Sequence, residues 1–234
     1  MNMPKLLLKR RKVGGWSLIE LTIILIVLAI LCAILAPVIG RFVRNAKIIR
    51  CREDVQCLGN AIHMFMMDNA LFWFRQVGTD GASPEVDLAV TDGHIPMLNP
   101  LAGVDSPNWV RPVNLTSVDF LEYHLCTNTP GYNPANAYYT PATIPSPFPP
   151  PGNYNAEFAW RGPYMTPPLD PDPWGNRYMS NVGYLRPTFP PNLHNPAGIY
   201  DCVVLSAGPD GEVDTAYTVD GLTPGDDDLF YTVQ

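Results

Sequence analysis

The residues best equipped for chemistry in this chain are the aspartates of its C-terminal end. Beyond Arg186 there is no lysine or arginine, whereas Asp201, Asp210, Glu212, Asp214, Asp220, Asp226, Asp227 and Asp228 all lie there. Crowded carboxylates repel one another unless a cation stands between them. Ca2+ gathers about six to eight oxygens from carboxylates and backbone carbonyls, and an acidic loop supplies both. Gly208 and Gly211 permit the tight turns such a loop needs. Asp210, Asp227 and Asp228 are the first candidates for ligands, Asp214 and Asp226 the second, with the carbonyls of Leu205 and its neighbours filling the shell. Asp210-Gly211-Glu212-Val213-Asp214 lacks the alternating acidic spacing of an EF-hand loop. The plainer reading is a solvated acidic loop.

The second residue with chemical potential is Glu20, at the threshold of an uncharged run from Leu21 to Ile39. A carboxylate in apolar surroundings costs about 2.5–3.5 kcal/mol and needs a partner. No Lys, Arg or His occurs among the next twenty residues. Cutting the chain after Gly15 would create an α-amino group at Trp16, which Glu20 could meet within one helix or, in trans, between staggered helices. The plainer reading makes Glu20 the interfacial flank of a membrane helix.

Catalysis finds no such support. His63, His94, His124 and His194 show no metal-ligand spacing, and Ser206 lacks the G-x-S-x-G setting of a nucleophile elbow. Asp170 and Asp172 alternate with prolines and read as turn formers, not as a glycosidase pair. Met64, Met66 and Met67 read as helix packing. The chain is expected not to be an enzyme. Its formal charge is −7; without the five basic residues of Met1 to Gly15, 10 basic and 22 acidic residues remain, a balance of −12. That charge repels nucleic acid.

These groups must be positioned by the elements around them. Leu21 to Ile39 gives 19 residues without charge, about 29 Å of helix, the thickness of a hydrocarbon core. Lys5, Lys9, Arg10, Arg11 and Lys12 precede it, so the N-terminus is expected in the cytoplasm and the rest outside, although Arg41, Arg44, Lys47, Arg50 and Arg52 follow. A cleaved secretory signal fits poorly: the run is long, Ala33-Ile34-Leu35-Ala36 is no A-x-A site, and Pro37 follows. A lipoprotein site at Cys32 fails because Leu31 is bulky. Farther on, Ile48, Cys51, Val55, Leu58, Ile62, Phe65, Asn69 and Phe72 recur at steps of three and four, an amphipathic stripe with one polar breach at Asn69. One helix from Ser17 to Phe74 is predicted, ending at Gly78-Thr79-Asp80-Gly81.

The 26 prolines require long irregular segments. Asn128 to Asn155 includes Pro145 to Pro151, expected as extended polyproline II. Ser117 to Leu125 reads as a second short helix capped by Ser117. Arg177 to Val182, Tyr200 to Leu205 and Leu229 to Val233 read as strands, and a small antiparallel sheet would bury the stripe of the long helix. Of the five cysteines, Cys51 and Cys57 stand about 240° apart on a helix and should not bond each other. A bridge from either to Cys126 or Cys202, or free buried thiols, both remain open.

Lys12-Val13-Gly14-Gly15 before Trp16-Ser17-Leu18-Ile19-Glu20 and a long apolar helix resembles the class III leader of type IV pilins and type II secretion pseudopilins. The resemblance implies cleavage after Gly15 by a prepilin peptidase, N-methylation of Trp16, an assembly role for Glu20, and a helix-kinking proline at Pro37. Trp16 departs from the family's usual Phe. Independently, Pro37 removes the bond to the carbonyl of Ala33 and, with Gly40 nearby, marks where the helix should bend or melt. Trp160-Arg161-Gly162-Pro163-Tyr164 and Asp172-Pro173-Trp174-Gly175-Asn176-Arg177-Tyr178 resemble segments of the major (G-type) pseudopilins of type II secretion. Leu205 to Gly211 with Gly225 to Leu229 resembles the calcium loop of the same family, although Tyr217 to Pro224 is an insertion within it.

The resemblance covers Gly15 to about Asp68 and Trp160 to the end. It implies an α+β pilin-like fold: a leader at 1–15, a transmembrane and assembly helix at 16–40, an amphipathic helix at 41–77, a Pro-rich variable insertion at 78–159 and a β-region with the acidic loop at 160–234. It further implies a single-pass inner-membrane protein with its C-terminal domain in the periplasm, assembled into a filament of identical copies. Minor pseudopilins, the prepilin peptidase and an inner-membrane assembly platform would be its other partners. A type IV pilin or another prepilin-like filament subunit is the nearest alternative; a membrane-anchored calcium-dependent binding protein that never assembles is the alternative from another class.

Overall fold

The computed structural model describes residues 15–69, 74, 86, 88–98, 118–132, 139, 159–185, 202–218, 221–223, 225 and 227–233. The expected helix stop at Gly78 to Gly81, the polyproline stretch, Tyr200, Asp201 and all of the leader except Gly15 lie outside the described residues. The chain divides into two compact units, Met1–Ala46 and Lys47–Gln234.

One helix, α1, runs from Leu18 to Asp68. Within the first unit its apolar residues, from Leu21 through Val43, are exposed. Among the described residues it is the one helix long and apolar enough to cross a membrane. Pro37 sits inside it without interrupting it. A proline costs one backbone hydrogen bond, which a helix of this length absorbs.

In the second unit the predicted stripe is the buried face of α1: Cys51, Val55, Leu58, Ile62 and Phe65 are 3 % exposed or less, and the breach Asn69 is fully buried. Asn69 lies in a turn just past the helix, its Nδ2 donating to the carbonyl of Phe65 at 2.7 Å. Phe74 is buried but no longer helical, so the helix ends earlier than the stripe predicts. Phe65 packs against Phe74 and Tyr139, with ring centroids 4.6 and 4.8 Å away.

The stripe lies on a five-stranded sheet of order β3–β1–β4–β5–β9, made by Val118–Phe120, Leu88–Val90, Met179–Ser180, Val203–Ser206 and Leu229–Thr232. β1 pairs with β3 in parallel; the other neighbours are antiparallel. The sheet is therefore mixed, and two of its strands come from the middle of the chain. β5 explains its own position. Val204 faces the core that contains Cys51 and Phe65, while Val203 and Leu205 face a second core with Leu88, Val90, Met179 and Val213. A strand apolar on both faces belongs in the interior of a sheet. The second core is closed by a parallel pair, β2 (Met97–Leu98) with β6 (Glu212–Val213). A separate hairpin joins β7 (Ala216–Thr218) to β8 (Gly221–Thr223).

The region predicted as a helix from Ser117 is divided. Val118–Phe120 is strand β3, and only Leu121–Leu125 is helical (α2). The N-cap position is Phe120, which makes no side-chain cap bond. Pairing with β1 outweighs the local helix pattern. It also carries Asp119 inside, where its Oδ2 accepts hydrogen bonds from His124 Nε2 at 3.0 Å and the Gly131 amide at 2.7 Å. His124 Nδ1 bonds Tyr139 Oη at 2.8 Å, and the His124 carbonyl accepts Trp160 Nε1–H at 2.8 Å.

The two aromatic segments fasten α1 to this framework. Tyr164 Oη donates to Asp68 Oδ2 and Tyr178 Oη to Asp54 Oδ2, each at 2.9 Å. Gly59 is required where α1 crosses β9, because a Cβ there would collide with the Tyr231 ring. None of the cysteines forms a disulfide; Cys51, Cys126 and Cys202 are buried and Cys57 is exposed.

The buried thiols make the fold sensitive to alkali. Burial raises Cys51 from 9.0 to about 11, and the neighbouring Ser206 and Tyr178 hydroxyls only partly oppose the rise. Burial likewise raises Cys126 to about 11 and drives Tyr178 upward. The folded chain thus holds these protons more tightly than the unfolded one, so stability is complete below pH 9 and falls as pH rises through about 11. For Cys51 alone the expected loss is about 3 kcal/mol. Thermal melts between pH 8 and pH 11 should show it, and Cys51→Ser should flatten the decline.

Candidate functional site

The N-terminal segment of the described chain is open. Gly15, Trp16 and Ser17 are not helical, Trp16 is 69 % exposed, and nothing lies within 4 Å of where a Cβ on Gly15 would sit. Ser17 then caps α1. Its Oγ accepts the Glu20 amide at 3.3 Å and its carbonyl accepts the Leu21 amide at 3.2 Å. Serine followed three residues later by glutamate is the spacing of a capping box, and this was the available signal for Ser17, which the functional reading of the segment passed over. Among the described residues Glu20 makes no ion pair and is exposed. Gly15, Trp16 and Glu20 therefore lie together at an accessible helix start, while Pro37 is nearly five turns farther along the same helix.

The acidic loop begins where β5 ends. Gly208 and Gly211 take φ of 66° and 74°, the left-handed region that disfavours residues with a Cβ. The turn between them presents Asp210, β6 leads to Asp214, and the return into β9 brings Asp227. One carboxylate oxygen from each of Asp210, Asp214 and Asp227 lies within 4.8 Å of the others. Gly208 packs against this return, since a Cβ on it would stand 2.5 Å from the Asp227 carbonyl oxygen.

Asp228 has a different setting. Its Oδ2 accepts the amides of Asp214 at 2.8 Å and Thr215 at 2.6 Å, and so ties β6 to the start of β9. It is 8 % exposed, and among the described residues its Oδ1 is buried without a hydrogen-bond partner, as is Oδ1 of Asp227. Burial raises Asp228 to about 6, despite the hydrogen bonds that favour its charged form. Burial and then the neighbouring Asp210 carboxylate also push Asp227 upward. Of the other candidates, Leu205 is buried inside β5, one residue before the strand ends, and Asp226 lies outside the described residues.

This chemistry fits a hard cation. Asp210, Asp214 and Asp227 bring three carboxylates together, and like charges this close repel unless a cation stands between them. A divalent ion held by Asp210, Asp214 and Asp227 would supply the missing charge and reverse the mutual repulsion. Elsewhere Asp119 and His124 form a second pair of polar side chains, and both are 3 % exposed or less.

No protein-family model matches the chain, and no solved structure matches it. The Type II secretion system core protein G of Pseudomonas aeruginosa is similar to it, at 27 % identity over 73 residues, or 31 % of this chain and 51 % of that protein. The chain thus spans about half the length of the curated relative it matches.

Proposed function

We propose that the chain is a pseudopilin-type subunit that forms a periplasmic filament of the type II protein secretion system. It is a structural component and not an enzyme. A prepilin peptidase cuts after Gly15, Trp16 becomes the methylated first residue, and α1 anchors the mature subunit in the inner membrane until assembly. The filament grows from copies of this chain, with minor pseudopilins and the assembly platform as partners. Glu20 sets the register by pairing with the Trp16 amine of a neighbour, which avoids leaving a carboxylate alone in an apolar bundle. Calcium, held by Asp210, Asp214 and Asp227, draws the acidic loop together and stabilises the subunit.

The observation that carries this reading is the exposed, non-helical Gly15-Trp16-Ser17 leading into a capped helix whose first turn holds Glu20. That arrangement leaves the Gly15–Trp16 bond outside the helix, with a carboxylate four residues after Trp16, and so supports the processing proposed. The similarity to core protein G supports the branch. The test is expression with and without a prepilin peptidase, followed by N-terminal sequencing. With the enzyme, the first residue is expected to be Trp16; retention of Met1 in both samples sinks the filament reading.

A further inference from the structure

The two edges of the five-stranded sheet differ. At β3 the turn Pro130–Tyr132 is fastened to the strand, its Gly131 amide donating to Asp119. At the other edge β9 pairs on one side only, with β5. The register fixes which of its backbone groups are used. The Val233 amide donates to the Cys202 carbonyl at 2.8 Å, which makes these two a hydrogen-bonded pair. Such pairs alternate along an antiparallel ladder. Leu229 and Tyr231 therefore bond toward β5, while Phe230 and Thr232 turn their N–H and C=O groups outward. The Val203 amide, opposite Thr232, follows the same alternation: it donates away from β9, to Asn181 Oδ1 just past β4, at 2.7 Å. Among the described residues the outward groups of Phe230 and Thr232 make no hydrogen bond.

Free strand edges are usually guarded by a charge, a proline or a bulge. Leu229-Phe230-Tyr231-Thr232 has no charge and no proline, and its pairing with β5 is unbroken. A groove of about 350 Å3 runs beside it, lined by residues 228–231 and, from α1, by Arg52, Val55 and Gln56. Side chains alternate across a strand, so four consecutive residues share a groove through their backbone edge and not through one face. Arg52 is exposed and makes no ion pair among the described residues. Asp228 is 8 % exposed and turned to the amides of Asp214 and Thr215. The charge that this groove offers to solvent is that of Arg52.

We propose that β9 is a docking edge for an extended, acidic segment of another protein, which joins the sheet as a sixth strand. Running antiparallel, the segment exchanges two backbone hydrogen bonds with Phe230 and two with Thr232. Main-chain bonds of this kind supply affinity, and the alternating side chains supply specificity. Phe230 packs on the second core, whereas Leu229 and Tyr231 pack on the core shared with α1. Guest residues opposite Leu229 and Tyr231 therefore point to the α1 side, and a carboxylate at one of them pairs with Arg52.

The experiment uses the full chain in detergent micelles and three short acetylated peptides of alternating Thr and Val. One carries a central Glu, one carries Lys in its place, and one is the Glu peptide N-methylated at every second residue, those flanking the Glu. The Glu peptide should bind, the Lys peptide should bind about tenfold more weakly, and the N-methylated peptide should not bind. Amide hydrogen exchange at Phe230 and Thr232 should be fast in the free chain and slow at least tenfold with the Glu peptide, while Tyr231 is protected throughout. Arg52→Glu should reverse the preference in favour of the Lys peptide. Thr232→Pro deletes an N–H that β5 does not use, so the chain should fold and lose binding. Should that variant fail to fold, the N-methylated peptide makes the same test from the guest's side. No binding by the Glu peptide, binding that survives N-methylation, or equal affinity for the Glu and Lys peptides overturns the proposal. Protection of Phe230 and Thr232 that rises with protein concentration, with no peptide present, also overturns it, because a second copy then occupies the edge.

Discussion

Glu20→Ala should be cut after Gly15 as efficiently as the wild type and yet fail to form filaments. The proposed cleavage would need only the bond at Gly15–Trp16, and the cap on α1 is the Glu20 amide donating to the Ser17 hydroxyl, a backbone group that the substitution leaves in place. Assembly differs, because each added subunit would bring a Trp16 amine into an apolar bundle with nothing opposite it. A lone charge there costs about 2.5–3.5 kcal/mol, so subunit addition should weaken roughly a hundredfold. Glu20→Gln keeps the size and polarity without the charge, and should fail equally. N-terminal sequencing checks the first half, and electron microscopy of sheared filaments the second. Normal filaments from the Gln variant would mean that Glu20 is only the interfacial end of a membrane helix.

The second large effect is expected at the acidic loop. Saturating Ca2+, about a hundred times its Kd, should stabilise the full chain by about 2.7 kcal/mol relative to EDTA. For a chain of this size that is a Tm rise of roughly 5–10 °C. The two adjacent aspartates should then separate. Asp227→Ala removes a proposed ligand and should abolish the calcium response while barely changing the melt in EDTA. Asp228→Ala strips the acceptor from the amides of Asp214 and Thr215, and should lower the EDTA melt by the equivalent of about 3 kcal/mol. Scanning calorimetry of both variants with and without Ca2+ reads all four values. No calcium response in the wild type leaves the solvated acidic loop as the explanation.

The long helix was legible because its signal is periodic and local. The apolar run and the three-four stripe name the span and the buried face, and Cys51, Val55, Leu58, Ile62 and Phe65 are that face. Its end was not legible, since Phe72 continues the stripe and Phe74 is buried without being helical. The strand Val118–Phe120 was misread for a related reason. Over three residues, periodicity cannot separate strand from helix, and pairing with Leu88–Val90 decides the matter from about thirty residues away. Gly59 carries no signal of its own; it is needed only because Tyr231 arrives from the far end of the chain.

In the candidate site the division follows the same line. The sequence alone determined that the C-terminal end is acidic and turn-rich, that Glu20 has no cation near it in the chain, and that Gly15 stands just before it. Composition and order are enough for those statements. Only the tertiary structure decided which carboxylates converge. Asp210, Asp214 and Asp227 meet because β5, β6 and β9 bring three loop ends to one place. Asp228, one residue from Asp227, turns instead to two backbone amides. Neighbours in sequence share composition, but a site is made by direction, and direction is set by strands that pair across long separations.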